Sequence, residues 1–287
     1  MPNIRKLLSD NSKPLVVPGV YDAIGAKIAQ KAGFEAMFQT GYGTSATLLG
    51  LPDYGFIGAT ETTENARRIC RTVSVPVIVD ADTGYGNPLS VWRLVTELEA
   101  VGAAGIFLED QKWPKRCGHM SGKEVIPKEE YSQKLQAALD ARKSKDFIIV
   151  ARTDARAPEG LDAAIERGLE YKKVGADAIF IEAPKSIEEM KKIGRSIKAP
   201  LVANMIEGGA TPLVSSKILH KMGYKLILYP LSVLFANAFA SMKILHELRK
   251  SGTTARLKKN VVNFDQFNEI VDLTKFKKME RSYVSKI

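Results

Sequence analysis

Short apolar runs of strand length alternate along this chain with segments of helical period. The runs are Leu15 to Val17, Ala36 to Gln39, Val75 to Val79, Ala103 to Leu108, Phe147 to Ala151, Ala178 to Ile181, Leu201 to Ala203 and Leu226 to Tyr229. Several are continuous rather than alternating, which suits strands buried on both faces of a parallel sheet. Between them lie helical patterns such as Leu89 to Ala100, Leu161 to Lys173 and Ile187 to Ile197. Asp22 is placed to N-cap the helix after the first run, and Gly33, Gly102 and Gly175 to end helices with a left-handed turn. Eight strand–helix units predict an α/β chain folded as a closed (β/α)8 barrel of the TIM type. An open doubly wound sheet ranks second, because no Gly-x-Gly-x-x-Gly follows the first run. Leu231 to Lys250 reads as a long helix, Ser251 to Thr254 as a break, and the remainder as a helical tail. This places a barrel domain at 1–250 and a C-terminal extension at 251–287.

Composition narrows the class. At 287 residues and 45% hydrophobic, the chain has the length of one large barrel. Its two cysteines, Cys70 and Cys117, are too few for a disulfide framework and suit a reducing cytoplasm. Met1 to Asp10 lacks the apolar run of a signal peptide, and no stretch is long enough to span a membrane. The net charge is +10, with ten Lys or Arg against four Asp or Glu in residues 249 to 287. An idle scaffold binding nucleic acid through this tail is the non-enzymatic alternative. It ranks last, because the excess is confined to the tail and carries no interleaved aromatics.

In such a barrel, chemistry gathers at the C-terminal ends of the strands. There the second run leads into Thr40, Gly41 and Tyr42, with Asp53 beyond. The third leads into Asp80 and Asp82, the fourth to Glu109, the fifth to Arg152, the sixth to Glu182 and the seventh to Asn204. Asp53, Asp80, Asp82 and Glu109 would repel one another without a counterion. Oxygen ligands of this kind suit Mg2+ or Mn2+, and nothing in the His or Cys spacing suggests zinc. The plainer alternative is that two of these acids pair structurally with Lys or Arg. Arg152 is a natural clamp for a substrate carboxylate, and the Thr40 to Tyr42 backbone offers donors to an oxyanion. Cys117 sits in a loop between Lys115 and Arg116 on one side and His119 on the other. Such neighbours lower a thiol's pKa and ready it for proton transfer.

Several stretches carry a resemblance: Gly50-Leu51-Pro52-Asp53, Asp80 to Gly86, Ile106 to Gln111, Lys115-Arg116-Cys117-Gly118-His119, Ala151 to Ala155 and Gly209 to Leu213. Over almost its whole length the chain resembles the isocitrate lyase and phosphoenolpyruvate mutase superfamily. The Lys-Arg-Cys-Gly-His string and the short chain resemble its methylisocitrate lyase and dimethylmalate lyase branch. The resemblance implies a Mg2+-dependent carbon–carbon lyase that splits a 2-hydroxy acid by a retro-aldol step. It implies that Asp80 and Asp82 hold the metal, with Asp53 and Glu109 on its waters. Thr40, Gly41 and Tyr42 would bind the oxo-acid end and Arg152 a carboxylate. Cys117 would be the general acid, with His119, Glu182 and Asn204 on the second side. Arg116, Gly118 and Thr211 join the implied substrate contacts. Lys115 to Met120 would be a gating loop, and the tail would be exchanged between subunits of a homotetramer. The chain departs from the pattern at Thr40, commonly Ser, and at Met120, often Arg in methylisocitrate lyases. A carboxyphosphonoenolpyruvate phosphonomutase and an oxaloacetate hydrolase or decarboxylase are the alternative activities.

Overall fold

The computed structural model describes residues 3–284. Eight parallel strands close into a barrel in chain order, β1 pairing with both β2 and β8. They are β1 (Leu15–Val20), β2 (Met37–Gln39), β3 (Val77–Asp80), β4 (Gly105–Glu109), β5 (Ile148–Thr153), β6 (Ala178–Ile181), β7 (Leu201–Asn204) and β8 (Tyr224–Tyr229). Every expected strand is present. β1 extends three residues and β5 and β8 two residues beyond the apolar run at one end, because the barrel ladder continues through Pro18 to Val20, Arg152 and Tyr224. The long helix is Ser232–Ser251, stopped at Gly252 with φ +70°, and helical segments follow it. Asp22 caps its helix by accepting from the Gly25 N–H at 2.6 Å. Gly33, Gly102 and Gly175 all have positive φ at helix ends, as the sequence predicts.

Side chains on a strand alternate between the two faces, and this alternation builds the protein. The outward residues Val79, Ile106, Leu108, Ile149, Ala151, Ile179 and Ala203 join one core against the surrounding helices. The inward residues Phe38, Ile78, Phe107, Val150, Phe180, Val202 and Leu228 fill the barrel in a second core. Ile4 and Leu8, from the short helix Ile4–Ser9, close that inner core. Phe107 lies at its centre, with ring centroids 4.9 Å from Phe38 and 5.9 Å from Phe180, both edge-on.

Continuing the inward set by two residues reaches Thr40, Asp80, Glu109, Arg152, Glu182 and Asn204. One register therefore sends apolar residues into the barrel and polar residues into its C-terminal mouth. The aromatic layer of Phe38, Phe107 and Phe180 is the floor on which the polar layer stands. Phe107→Ala is expected to lose about 3–5 kcal/mol in urea unfolding, the usual cost of removing a buried ring. A loss below about 1 kcal/mol would show that the barrel does not depend on this layer.

Candidate active site

The C-terminal mouth holds a small cavity. Thr40, Tyr42, Asp53 and Asp80 form one wall, and Cys117, Gly118, His119, Arg152, Glu182 and Asn204 the other. Its floor and back are Phe38, Phe107, Phe180, Ile206, Leu228 and Leu231. Asp82, Glu109 and Gly41 stand behind the wall, in contact with residues that line it.

The sequence left open whether the acids hold a metal or pair with cations. In this structure Lys115 enters their midst, with Nζ 2.5 Å from Asp53 and 2.6 Å from Asp82. Among the described residues no three His, Cys, Asp or Glu side chains form a ready-made metal cluster. Asp80 accepts from the Gly41 N–H at 3.2 Å, and a Cβ on Gly41 would lie 2.8 Å from that same oxygen, so a side chain there would displace the Asp80 carboxylate. Tyr85 donates to Asp82 at 3.0 Å. Asp82, Tyr85 and Ala183 all hold positive φ, an unusual backbone for non-glycine residues that concentrates around functional sites.

Negative charge here is not fully compensated. Burial pushes the Asp82 carboxyl up to about 7 against the pull of Lys115. Burial also raises Asp80, and pushes Glu109 well above the usual carboxylate range. Desolvation, more than mutual repulsion, is the cause. Both Glu109 oxygens are buried without a hydrogen bond, although Arg152 Nη1 lies 3.2 Å away. Such a carboxylate set, rich in oxygen and short of positive charge, fits a hard divalent cation.

Arg152 is held from below. Asp154 grips it at 2.8 Å and 3.1 Å, two residues further along the same face of the chain. Burial raises Asp154, but Arg152 and Lys123 more than offset this and hold it well below the ordinary carboxylate range. Glu182 lies 3.4 Å from Arg152 and 3.2 Å from His119 Nε2. Burial is likewise outweighed there, and Glu182 stays lowered and ionised. The Ala210 N–H donates to His119 Nδ1 at 2.9 Å, which leaves the proton of a neutral imidazole on Nε2. Asn204 donates to Glu182 at 3.3 Å.

Three expectations need correction. The pull of Lys115 toward a lower Cys117 pKa is outweighed. Burial, with Asp53 adding to it, pushes the thiol up to about 11, while Lys115 spends its charge on carboxylates. Arg116 does not line the cavity: it stacks over Tyr54 at 5.1 Å and bonds the Ser121 carbonyl at 3.1 Å. Thr211 is buried outside the cavity wall, and its segment meets His119 through Gly209 and Ala210. Sequence reasoning missed Lys115 as counterion and Asp154 as the partner of Arg152. The Arg-x-Asp spacing on a strand was the available signal for the second.

Barrel and cavity together define a (β/α)8 enzyme with a small, highly charged active site. The family model described as phosphoenolpyruvate phosphomutase matches residues 4–249, and the chain belongs to the PEP mutase/isocitrate lyase superfamily. It is similar to 2,3-dimethylmalate lyase of Eubacterium barkeri, 45% identical over 98% of this chain and 97% of that one. It is also similar to the chloroplastic carboxyvinyl-carboxyphosphonate phosphorylmutase of Arabidopsis thaliana, 46% identical over 94% of this chain and 80% of the other. Among solved structures, oxaloacetate acetylhydrolase in complex with 3,3-difluorooxalacetate superposes with a TM-score of 0.93. That pair is 32% identical and covers 98% of this chain and 96% of the other.

The raised thiol makes a prediction independent of turnover. Alkylation of Cys117 by iodoacetamide, followed by peptide mass spectrometry, should keep accelerating beyond pH 9, because the thiolate is the reactive form. A plateau near pH 7 would show an activated thiolate instead.

Proposed function

We propose that the protein is a Mg2+-dependent carbon–carbon lyase. It splits a small branched 2-hydroxy di- or tricarboxylate, of the 2,3-dimethylmalate or 2-methylisocitrate type, into a 2-oxo acid such as pyruvate and a second carboxylate. The observation that carries this reading is one cavity shared by Cys117, Arg152 and His119, against a wall of carboxylates, with burial pushing the thiol up.

Asp80 and Asp82 would hold the Mg2+, or Mn2+ in its place, with Asp53 and Glu109 on its waters. The ion supplies Lewis-acid stabilisation of negative charge developing on oxygen. Lys115 already neutralises part of the same carboxylate set. Thr40, Gly41 and Tyr42 take the oxo-acid end at the start of the helix Gly41–Leu49, where the helix dipole favours an anion. Arg152 holds the second carboxylate with its planar fork, and His119 donates from Nε2. A carboxylate of the cavity wall takes the proton of the 2-hydroxyl, whose oxygen becomes the carbonyl of the 2-oxo acid as the neighbouring carbon–carbon bond breaks. Cys117 Sγ–H protonates the departing carbon. The Lys115 to Met120 loop covers the cavity and keeps water from competing.

A phosphorus–carbon mutase is the second reading, favoured by the Arabidopsis relative. Oxaloacetate hydrolysis, favoured by the acetylhydrolase structure, is the third. We further propose a homotetramer in which the extension at 251–287 is exchanged between subunits. The helix Ser232–Ser251 buries none of its residues, and it exposes Phe239, Met242 and Leu245 by more than 60% each. No helix among the described residues is long and apolar enough to cross a membrane, and we place the enzyme in the cytoplasm without nucleic-acid partners.

Pyruvate release should be measured with Mg2+ on 2,3-dimethylmalate, 2-methylisocitrate, isocitrate and oxaloacetate. EDTA-sensitive turnover of one 2-hydroxy acid is expected; inactivity on all of them shifts the assignment to the mutase. Cys117→Ser should bind substrate but lose roughly 10²-fold or more in kcat, the scale of a general acid. Asp82→Ala should abolish the Mg2+ response, and a retained response would remove Asp82 from the ligand set.

A further inference from the structure

The loop from Lys112 to Lys123 is fastened at three places. At its neck, Gln111 bridges Val125, and the Gln111 amide clamps the Arg116 backbone with bonds of 2.8 Å and 3.0 Å. On the near side, Lys115 reaches Asp53 and Asp82, and the Cys117 N–H donates to the Asp53 carbonyl at 3.1 Å. On the far side two side chains fasten it: His119, which meets the Ala210 N–H and Glu182, and Lys123. Lys123 Nζ donates to the Gly118 carbonyl at 2.5 Å and to Asp154 Oδ1 at 2.7 Å. Its side chain is only 1% exposed and that of Asp154 is fully buried.

Asp154 is not an isolated acceptor. Besides gripping Arg152, its N–H donates to Asp110, whose other oxygen takes Thr153, Tyr171 and Arg167. That anchors it to the helix Leu161–Val174 outside the barrel. Gly118, for its part, lies directly on the substrate-facing groups. A Cβ there would fall 2.5 Å from both Arg152 Nη2 and Glu182 Cγ. A buried ammonium is stable only where it is paired and hydrogen-bonded, so Lys123 favours the one loop position that supplies both acceptors.

We propose that Lys123 is a positioning residue that latches the Cys117 loop shut, tying the Gly118 carbonyl to the same carboxylate that aims Arg152. Closure of the loop and orientation of the carboxylate clamp are thereby set through one buried charge. The inference rests on the proposed lyase reading only in taking Cys117 as the proton donor.

The test reads loop opening without substrate: iodoacetamide labelling of Cys117 at fixed neutral pH, resolved by peptide mass spectrometry, on the full chain. Wild type should react at least about tenfold more slowly than the urea-unfolded chain, because the folded thiol is both covered by the loop and held protonated, so the comparison between folded variants carries the test. Lys123→Met should raise the folded protein's rate about tenfold or more, and Lys123→Arg, which keeps charge and donors, should stay within about threefold of wild type. If thermal melting shows Lys123→Met to be unfolded, Asp154→Asn takes its place with the same expected acceleration. A folded Lys123→Met or Asp154→Asn that labels at the wild-type rate overturns the latch. So does a wild type that labels as fast as the unfolded chain. Slow wild-type labelling with the expected acceleration, but no turnover of any 2-hydroxy acid, would sink the lyase reading and leave the latch standing.

Discussion

Charge buried at the mouth of the barrel is the constraint on which the rest of the structure depends. Asp53, Asp80, Asp82, Glu109, Asp154 and Glu182 are taken out of water within one small region, with Lys115, Lys123 and Arg152 among them. Desolvating any one of these groups alone would cost several kcal/mol. Each tolerates burial because an oppositely charged group or a backbone donor reaches it, and those reaches fix the backbone. Gly41 must approach Asp80 closely, Gly118 must rest on Arg152 and Glu182, and Asp82 must take up a left-handed conformation. The glycines and the strained residues of the site are consequences of packing charges at hydrogen-bond distance.

The same charges divide into two groups with different proton affinities. Asp154 and Glu182, paired with Arg152, Lys123 and His119, are held low and stay ionised. Asp80, Asp82 and Glu109, sharing Lys115 and the far edge of Arg152, are pushed up. One side is electrostatically finished and can orient a substrate group. The other has unmet demand for positive charge, which is where a divalent ion would be stabilised. The asymmetry follows hydrogen bonding more than the number of cations: Asp154 accepts from Arg152 and Lys123 and Glu182 from Asn204 and the Ala183 N–H, whereas both Glu109 oxygens accept no hydrogen bond.

The barrel was legible because its signal is local and repeated. Eight buried runs, six of them closed by a polar residue, can be read from strand length and residue type alone. Thr40, Asp80, Glu109, Arg152, Glu182 and Asn204 were legible for the same reason, since a strand's alternation decides which face its terminal residue takes. Residues of the loop were less legible. Lys115 and Arg116 are adjacent and chemically alike, yet one is buried between carboxylates and the other stacks on Tyr54. No period governs a loop, so three-dimensional partners decide its side-chain directions. Thr211 differs again: it lies outside the cavity lining, while its neighbour Ala210 meets His119 through the backbone, which a side-chain reading does not consider.

The state of Cys117 ties these points together. A basic neighbourhood in the sequence argues for a thiolate, which suits a nucleophile or a base. In the fold, Lys115 turns its charge to Asp53 and Asp82, and the thiol is left with burial and negative neighbours. Those conditions hold a proton on sulfur at neutral pH. A retained proton is of no use for nucleophilic attack, but it is what quenching a carbanion requires, provided solvent water is kept out. The loop that carries Cys117 also carries Lys115, whose buried ion pairs hold it against the barrel. A single closing movement would therefore bring the proton, exclude the water and add positive charge to the carboxylates, and the chemistry proposed for the site needs all three at once.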